Sequence, residues 1–127
     1  MKAEIKTSLP AVDLKIRTRA FALVIIRLYA TLPKSELGRV IGRQILRSGT
    51  SVGAHYREVT RARSDAEFVS KLEGGCQELE ETMYWLEIIG EANLLPPEKL
   101  SHCLTESNEL MAIFSTIITN RKKVLGR

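Results

Sequence analysis

Three short breaks divide this chain into four long segments, and that division limits the fold more than any other feature. At Leu32-Pro33 the residue before proline is pushed out of the α region, while proline itself is well accepted in the first turn of a following helix. At Ser64-Asp65-Ala66-Glu67 a serine precedes a glutamate by three residues, the pattern in which Ser64 accepts from the Glu67 amide and the Glu67 side chain reaches back. Asn93 is suited to end a helix, and Pro96-Pro97 opens the last segment.

Between the breaks, apolar residues recur at spacings of three and four. The first segment places Leu14, Phe21, Val24, Ile25 and Leu28 on one face; the third places Phe68, Leu72, Cys76, Leu79, Met83 and Leu86; the fourth places Leu100, Leu104, Leu110, Phe114, Ile117 and Ile118. Helices are expected at about 13–31, 34–61, 64–93 and 97–123, with Asp13 capping the first and residues 1–11 forming a loose leader. Connections of only about two to five residues force sequential helices to lie antiparallel. The fold class is therefore all-α, an antiparallel up-down-up-down four-helix bundle in one domain over residues 1–127. At 127 residues and 44% hydrophobic content the chain can bury its own core without metal or disulfide staples. Cys76 and Cys103 both fall on apolar faces, where a thiol serves as a small hydrophobe, and are expected to be reduced.

Charge is segregated along the chain. Residues 1–63 hold 13 Lys/Arg against 4 Asp/Glu, residues 64–120 hold 2 against 11, and the last seven add four cations. Such asymmetry suits either a nucleic-acid footprint or attraction between unlike surfaces of identical subunits. No apolar run approaches the roughly 18 residues a membrane span needs, and no signal peptide is recognisable, so a soluble cytoplasmic protein is expected.

The second helix carries the unusual residues. At about 100° per residue, Leu37, Ile41, Gln44, Ser48, Val52, His55 and Val59 share the side expected to face the core, and Arg39, Arg43, Arg47, Arg57 and Arg61 share the opposite side. Gly38, Gly42, Gly49 and Gly53 lie between, an edge that lets another helix come close. The arginine row can track phosphates without reading bases. It can equally be a solvated face, or one paired with acidic residues of helix 3 or of a neighbouring subunit. Lys122 and Lys123 in the basic tail join the candidate phosphate contacts. Ser51, His55 and Glu58 share a face and imitate a hydrolytic triad, but amides inside a continuous helix are already bonded and offer no oxyanion hole, so neither catalysis nor a cofactor is expected. A metal site is not expected either, because His102 and Cys103 are adjacent and point in different directions. On the third helix, Tyr84, Trp85 and Ile88 project away from the inner stripe and mark a candidate oligomer interface. Acidic rows Glu73/Glu80/Glu87 and Glu67/Glu78/Glu81 on the same helix could meet arginines of the next subunit head to tail.

Leu32-Pro33, Gln44 to Glu58 (QILRSGTSVGAHYRE), Arg61-Ala62-Arg63-Ser64, Glu67-Phe68, Gln77-Glu78-Leu79-Glu80-Glu81-Thr82 and Tyr84-Trp85-Leu86 together resemble a bacterial four-helix-bundle family first known from intervening sequences in 23S ribosomal RNA genes. The resemblance covers about residues 12–120. It implies a left-handed antiparallel bundle that assembles into a homopentameric ring and has no established enzymatic activity. Relatives include the accessory protein of diversity-generating retroelements, a basic pentamer that binds nucleic acid and a reverse transcriptase. Gln44, Arg47, Ser51 and Glu58 match the family's helix 2 motif, and Glu78, Leu79 and Glu80 its helix 3 motif. The family usually has Asn where this chain has His55, which replaces an amide by a group able to titrate near neutral pH. Two functions follow as expectations: a homo-oligomeric accessory protein binding RNA or DNA through a basic helix 1/helix 2 surface, or an assembly scaffold for a protein partner such as a reverse transcriptase.

Overall fold

A computed structural model describes residues 2–126, with side chains from Leu14 onward. Helix α1 spans Lys2–Thr31, α2 spans Glu36–Val59, α3 spans Asp65–Glu91 and α4 spans Ser101–Leu125, the last preceded by a 3-10 turn over Pro97–Lys99. The chain is an all-α four-helix bundle. The backbone of α1 begins at Lys2, so the helix passes through Asp13 instead of being capped there, and the expected leader forms its first turns. How the leader's side chains pack lies outside the described residues.

The helix ends follow from local chemistry. Ser35, two residues beyond Pro33, accepts from the Gly38 amide at 3.1 Å and so sets the start of α2 at Glu36. Ser64 accepts from the Glu67 amide at 3.0 Å, and the Glu67 carboxylate accepts from the Arg63 amide at 2.8 Å. The end of α3 is closed by Asn93, which takes a left-handed φ of 59°. Its amide donates to Gly90 O and that of Leu94 to Ile89 O, which satisfies two carbonyls that the helix would otherwise leave open.

Neighbouring helices run antiparallel, as their cross-contacts show. Gly42, Gly49 and Gly53 of α2 face Tyr29, Ile25 and Thr18 of α1 in descending order. Ser48 meets Thr82 on α3, and farther along Glu58 meets Lys71. Glu73 and Asp65 of α3 pair with Lys122 and Arg121 of α4. The α1–α4 seam is looser and is clasped by Arg17, which donates to Glu106 at 2.7 and 3.0 Å and to Glu109 at 3.0 Å. The core collects Phe21 and Ile25 from α1, Ile45, Val52 and Tyr56 from α2, Leu72, Leu79, Leu86 and Ile89 from α3, and Leu110 and Phe114 from α4. Each such side chain contributes roughly 1.5–3 kcal/mol by leaving water.

Two inner faces differ from the sequence expectation. On α2 the buried residues are Gly38, Gly42, Ile45, Ser48, Gly49, Val52, Tyr56 and Val59, so Ser48, Val52 and Val59 lie inside as expected, whereas Leu37 is 51% exposed and Ile41, Gln44 and His55 lie at the seam with α3. The cause is the glycine edge. Without side chains it lets Tyr29 and Ile25 of α1 come close, and Gly42 and Gly49 become interior. On α3 the buried line is Val69, Leu72, Gly75, Leu79, Thr82, Leu86 and Ile89, which leaves Phe68, Cys76 and Met83 at its margin. Gly75 sets this phase by admitting the Phe114 ring, to which an added Cβ would come within 2.8 Å.

Candidate nucleic-acid interface

The charged side chains exposed on α1 and α2 are mostly cations. Arg39, Arg43, Arg57 and Arg61 are exposed on the outer surface of α2, and Lys15, Arg19 and Arg27 are exposed on α1. Among the described residues none of these seven side chains has a carboxylate within 4.0 Å or a hydrogen-bonding partner. Glu36 and Glu58 are the acids between residues 14 and 63, and Glu58 is held at 3.1 Å by Lys71 of α3. An unpaired row of permanent charges attracts polyanions strongly and has no internal pair to break first.

Arg47 belongs to a different surface. It leans to the α3 side, donates to Glu81 and lies 3.6 Å from Glu78. The Arg47 hydrogen bond, followed by that from the Trp85 indole, holds the Glu81 carboxyl below its ordinary range. Of the five arginines that the sequence aligns, four are therefore open and one is bound within the chain. The tail divides in a similar way: Lys122 pairs with Glu73 at 2.9 Å, while Lys123 is exposed and unpaired among the described residues. Arg121 is occupied with Asp65 at 2.8 Å and stands 3.7 Å above the Phe68 ring.

The residues matching the family motifs gather mainly along the α2–α3 seam. Gln44 is partly buried there, and the Ser51 hydroxyl donates to Arg47 O at 2.6 Å. His55 Nε2 lies 3.6 Å from Glu78 Oε2, and its ring rests on Gly74, where a Cβ would come within 2.8 Å. His55 Nδ1 and Glu78 Oε1 are buried without a hydrogen-bond partner. Ser51, His55 and Glu58 thus engage three different groups, so the triad-like sequence spacing does not become a relay. Glu80 is exposed on the outer surface of α3, away from this seam. At the heart of the seam the Ser48 and Thr82 hydroxyls lie 2.8 Å apart, both fully buried, and Thr82 also donates to Glu78 O at 2.8 Å. That pair was not singled out from sequence, where Ser48 reads as an ordinary member of an apolar face.

The aromatic group also divides. Tyr84 is 54% exposed, whereas Trp85 packs against the core edge with its indole N–H on Glu81 at 3.1 Å, and Ile88 is half-buried. Tyr56, the aromatic nearest the arginine row in sequence, is buried and stacked on Phe114 at 6.0 Å. The basic face therefore has no ring from α2 on which a base could stack. Burial raises both cysteine thiols above their ordinary value, as a packing role requires. No cluster of three or more His, Cys, Asp or Glu able to hold a metal occurs among the described residues, and none of their helices is long and apolar enough to cross a membrane.

Comparison with known proteins gives a consistent assignment. No curated protein matches the chain. Its fold is similar to the crystal structure of a protein of unknown function from the S23 ribosomal protein family of Bacteroides thetaiotaomicron, with a TM-score of 0.78 and 36% identity, covering 83% of this chain and 97% of that one. The family model described as 23S rRNA-intervening sequence protein matches residues 12–116. With that match spanning most of α1 through α4, the chain belongs to the 23S rRNA-intervening sequence protein family.

Proposed function

We propose that this protein is a non-enzymatic, homo-oligomeric accessory protein that holds the phosphate backbone of RNA or DNA on its α1–α2 face. The observation that carries the reading is the set of four exposed arginines on one helix, Arg39, Arg43, Arg57 and Arg61, none with a carboxylate within 4.0 Å among the described residues. Phosphate oxygens satisfy planar guanidinium forks without requiring base contacts. The absence of an exposed ring from α2 on that face favours backbone contact over stacking on single strands. The ribosomal RNA context in the family's name is in keeping with a polyanionic ligand.

The test is fluorescence anisotropy of labelled RNA and DNA across a salt series. Affinity should fall steeply with salt, and Arg39→Gln/Arg43→Gln should flatten the slope by up to about 0.9 for each phosphate no longer neutralised on a B-form duplex. Arg47→Gln, which removes an internally paired charge, should change the slope far less. Binding that ignores salt, or no binding to either nucleic acid, would refute the proposal. A second reading is an assembly scaffold for a protein partner. It is favoured by Ile16, Leu23, Ile26, Leu37 and Val40, large aliphatic side chains that stand in water on the single chain.

A further inference from the structure

We infer that Glu81 of α3 is an internal rival of phosphate: it occupies Arg47, the arginine withheld from the basic row of α2, and so sets how strongly that row grips a nucleic-acid backbone. The inference rests on the proposed function and concerns the regulation of the same face. Three observations carry it.

The first is placement along α2. Each step of four residues turns a helix by about 40° and advances it by about 6 Å. Arg39, Arg43 and Arg47 follow one another at that step, so the backbone carries Arg47 within about 80° of Arg39 and next in line after Arg43. Arg57 repeats the phase of Arg39 about five turns later, roughly 27 Å along the axis. Between Arg43 and Arg57 the same side of the helix offers Thr50 and Ala54, which carry no charge. Arg47 is therefore the residue that would extend the first arginine pair into the gap.

The second is the hold on Arg47. Its guanidinium donates to Glu81, and another of its nitrogens lies 3.6 Å from Glu78 Oε1. The Glu81 oxygen that accepts from Arg47 also accepts from the Trp85 indole at 3.1 Å, which fixes the carboxylate in place. Glu78 Oε1 is buried with no hydrogen-bond partner, so the Arg47 charge also offsets a carboxylate oxygen that has no donor. Both acids draw the guanidinium toward α3.

The third is accessibility. The Arg47 side chain is 52% exposed and that of Glu81 35%, whereas Glu78 is only 19% exposed. A pair this open stands within reach of a ligand, and exposed ion pairs are weak enough to exchange partners. While Glu81 is charged it keeps the advantage, because it is already positioned and costs no further ordering. The row then grips with Arg39, Arg43, Arg57 and Arg61 alone. Once Glu81 is neutral, a phosphate at the edge of the row becomes the stronger acceptor for Arg47.

The experiment is anisotropy of a labelled DNA duplex with the full chain across a salt series, repeated with labelled RNA, each variant verified as helical by circular dichroism. Glu81→Gln keeps the size of the side chain and an oxygen for the Trp85 indole. Glu80→Gln is the control, since it removes the same charge from an exposed neighbour that has no partner among the described residues. Glu81→Gln should bind more tightly than Glu80→Gln and steepen the slope of log affinity against log salt by up to about 0.9, so that its advantage shrinks by up to about 3.5-fold between about 50 and 200 mM salt. Arg47→Gln/Glu81→Gln should lose that excess. Equal responses to Glu81→Gln and Glu80→Gln, or an excess that survives in the double variant, overturn the role of Glu81 and leave the phosphate face standing. Wild type that binds neither nucleic acid, or binds without regard to salt, overturns both.

Discussion

Gly49→Ala is the most informative single test of how this bundle is held together. In an unpacked helix, replacing glycine by alanine gains about 1 kcal/mol, because glycine loses more backbone freedom on folding. In this structure an added Cβ would stand 2.7, 2.8 and 3.1 Å from Cγ1, Cγ2 and Cβ of Ile25. Ile25 is fully buried, and its β-branched side chain cannot turn away without displacing Phe21 and Leu28 on the same face. Overpacking of this kind costs about 1–3 kcal/mol. Because three atoms of a stiff side chain are met at once, the upper part of that range applies, and the net effect should be a loss of about 1–2 kcal/mol. Gly90→Ala is the matched control: a Cβ there meets one atom, Leu100 Cδ1 at 3.1 Å, and the substitution should be neutral or gain up to about 1 kcal/mol. Urea midpoints measured at one protein concentration compare them fairly, since association shifts apparent stability. A Gly49→Ala protein as stable as Gly90→Ala would refute the close α1–α2 approach.

Two further outcomes follow from named geometry. Asn93 holds φ at 59°, so Asn93→Ala should cost about 1 kcal/mol in a thermal melt while Asn93→Gly is tolerated. Glu81 is held below its ordinary value chiefly by Arg47, so this carboxylate stabilises the fold above its unfolded pKa, and the contribution is lost as pH falls through the folded value. The urea-midpoint gap between wild type and Arg47→Gln should therefore be present at pH 6 and close as pH drops below about 4. A gap that persists undiminished at low pH would show that Arg47 acts through something other than this ion pair.

The four helices were legible because their determinants are local. Pro33, the Ser64–Glu67 box and the Asn93 end each act within a few residues, and the caps appear where those residues stand. Most of the expected core residues of α1 and α4 are buried, with Val24, Leu104 and Ile117 at the margin. On α2 and α3 half or fewer of the expected residues are buried (Ser48, Val52, Val59; Leu72, Leu79, Leu86) and the others lie one position from a buried residue, since the phase of a helix containing glycines depends on which neighbour enters the gap, and only packing decides that. The arginine row illustrates the same limit. Helical periodicity puts Arg47 in line with Arg43, but only the approach of α3 brings Glu78 and Glu81 to it.

What this sequence determined alone is the number of helices, their order, their antiparallel course and the segregation of charge, all encoded in spacing along the chain. The tertiary structure decided which charges remain unpaired, where Trp85 and His55 settle, and that the glycine edge of α2 becomes interior. Those outcomes depend on distances between residues far apart in the chain, such as Arg47 to Glu81 and Gly49 to Ile25. Periodicity within a helix carries no information about them.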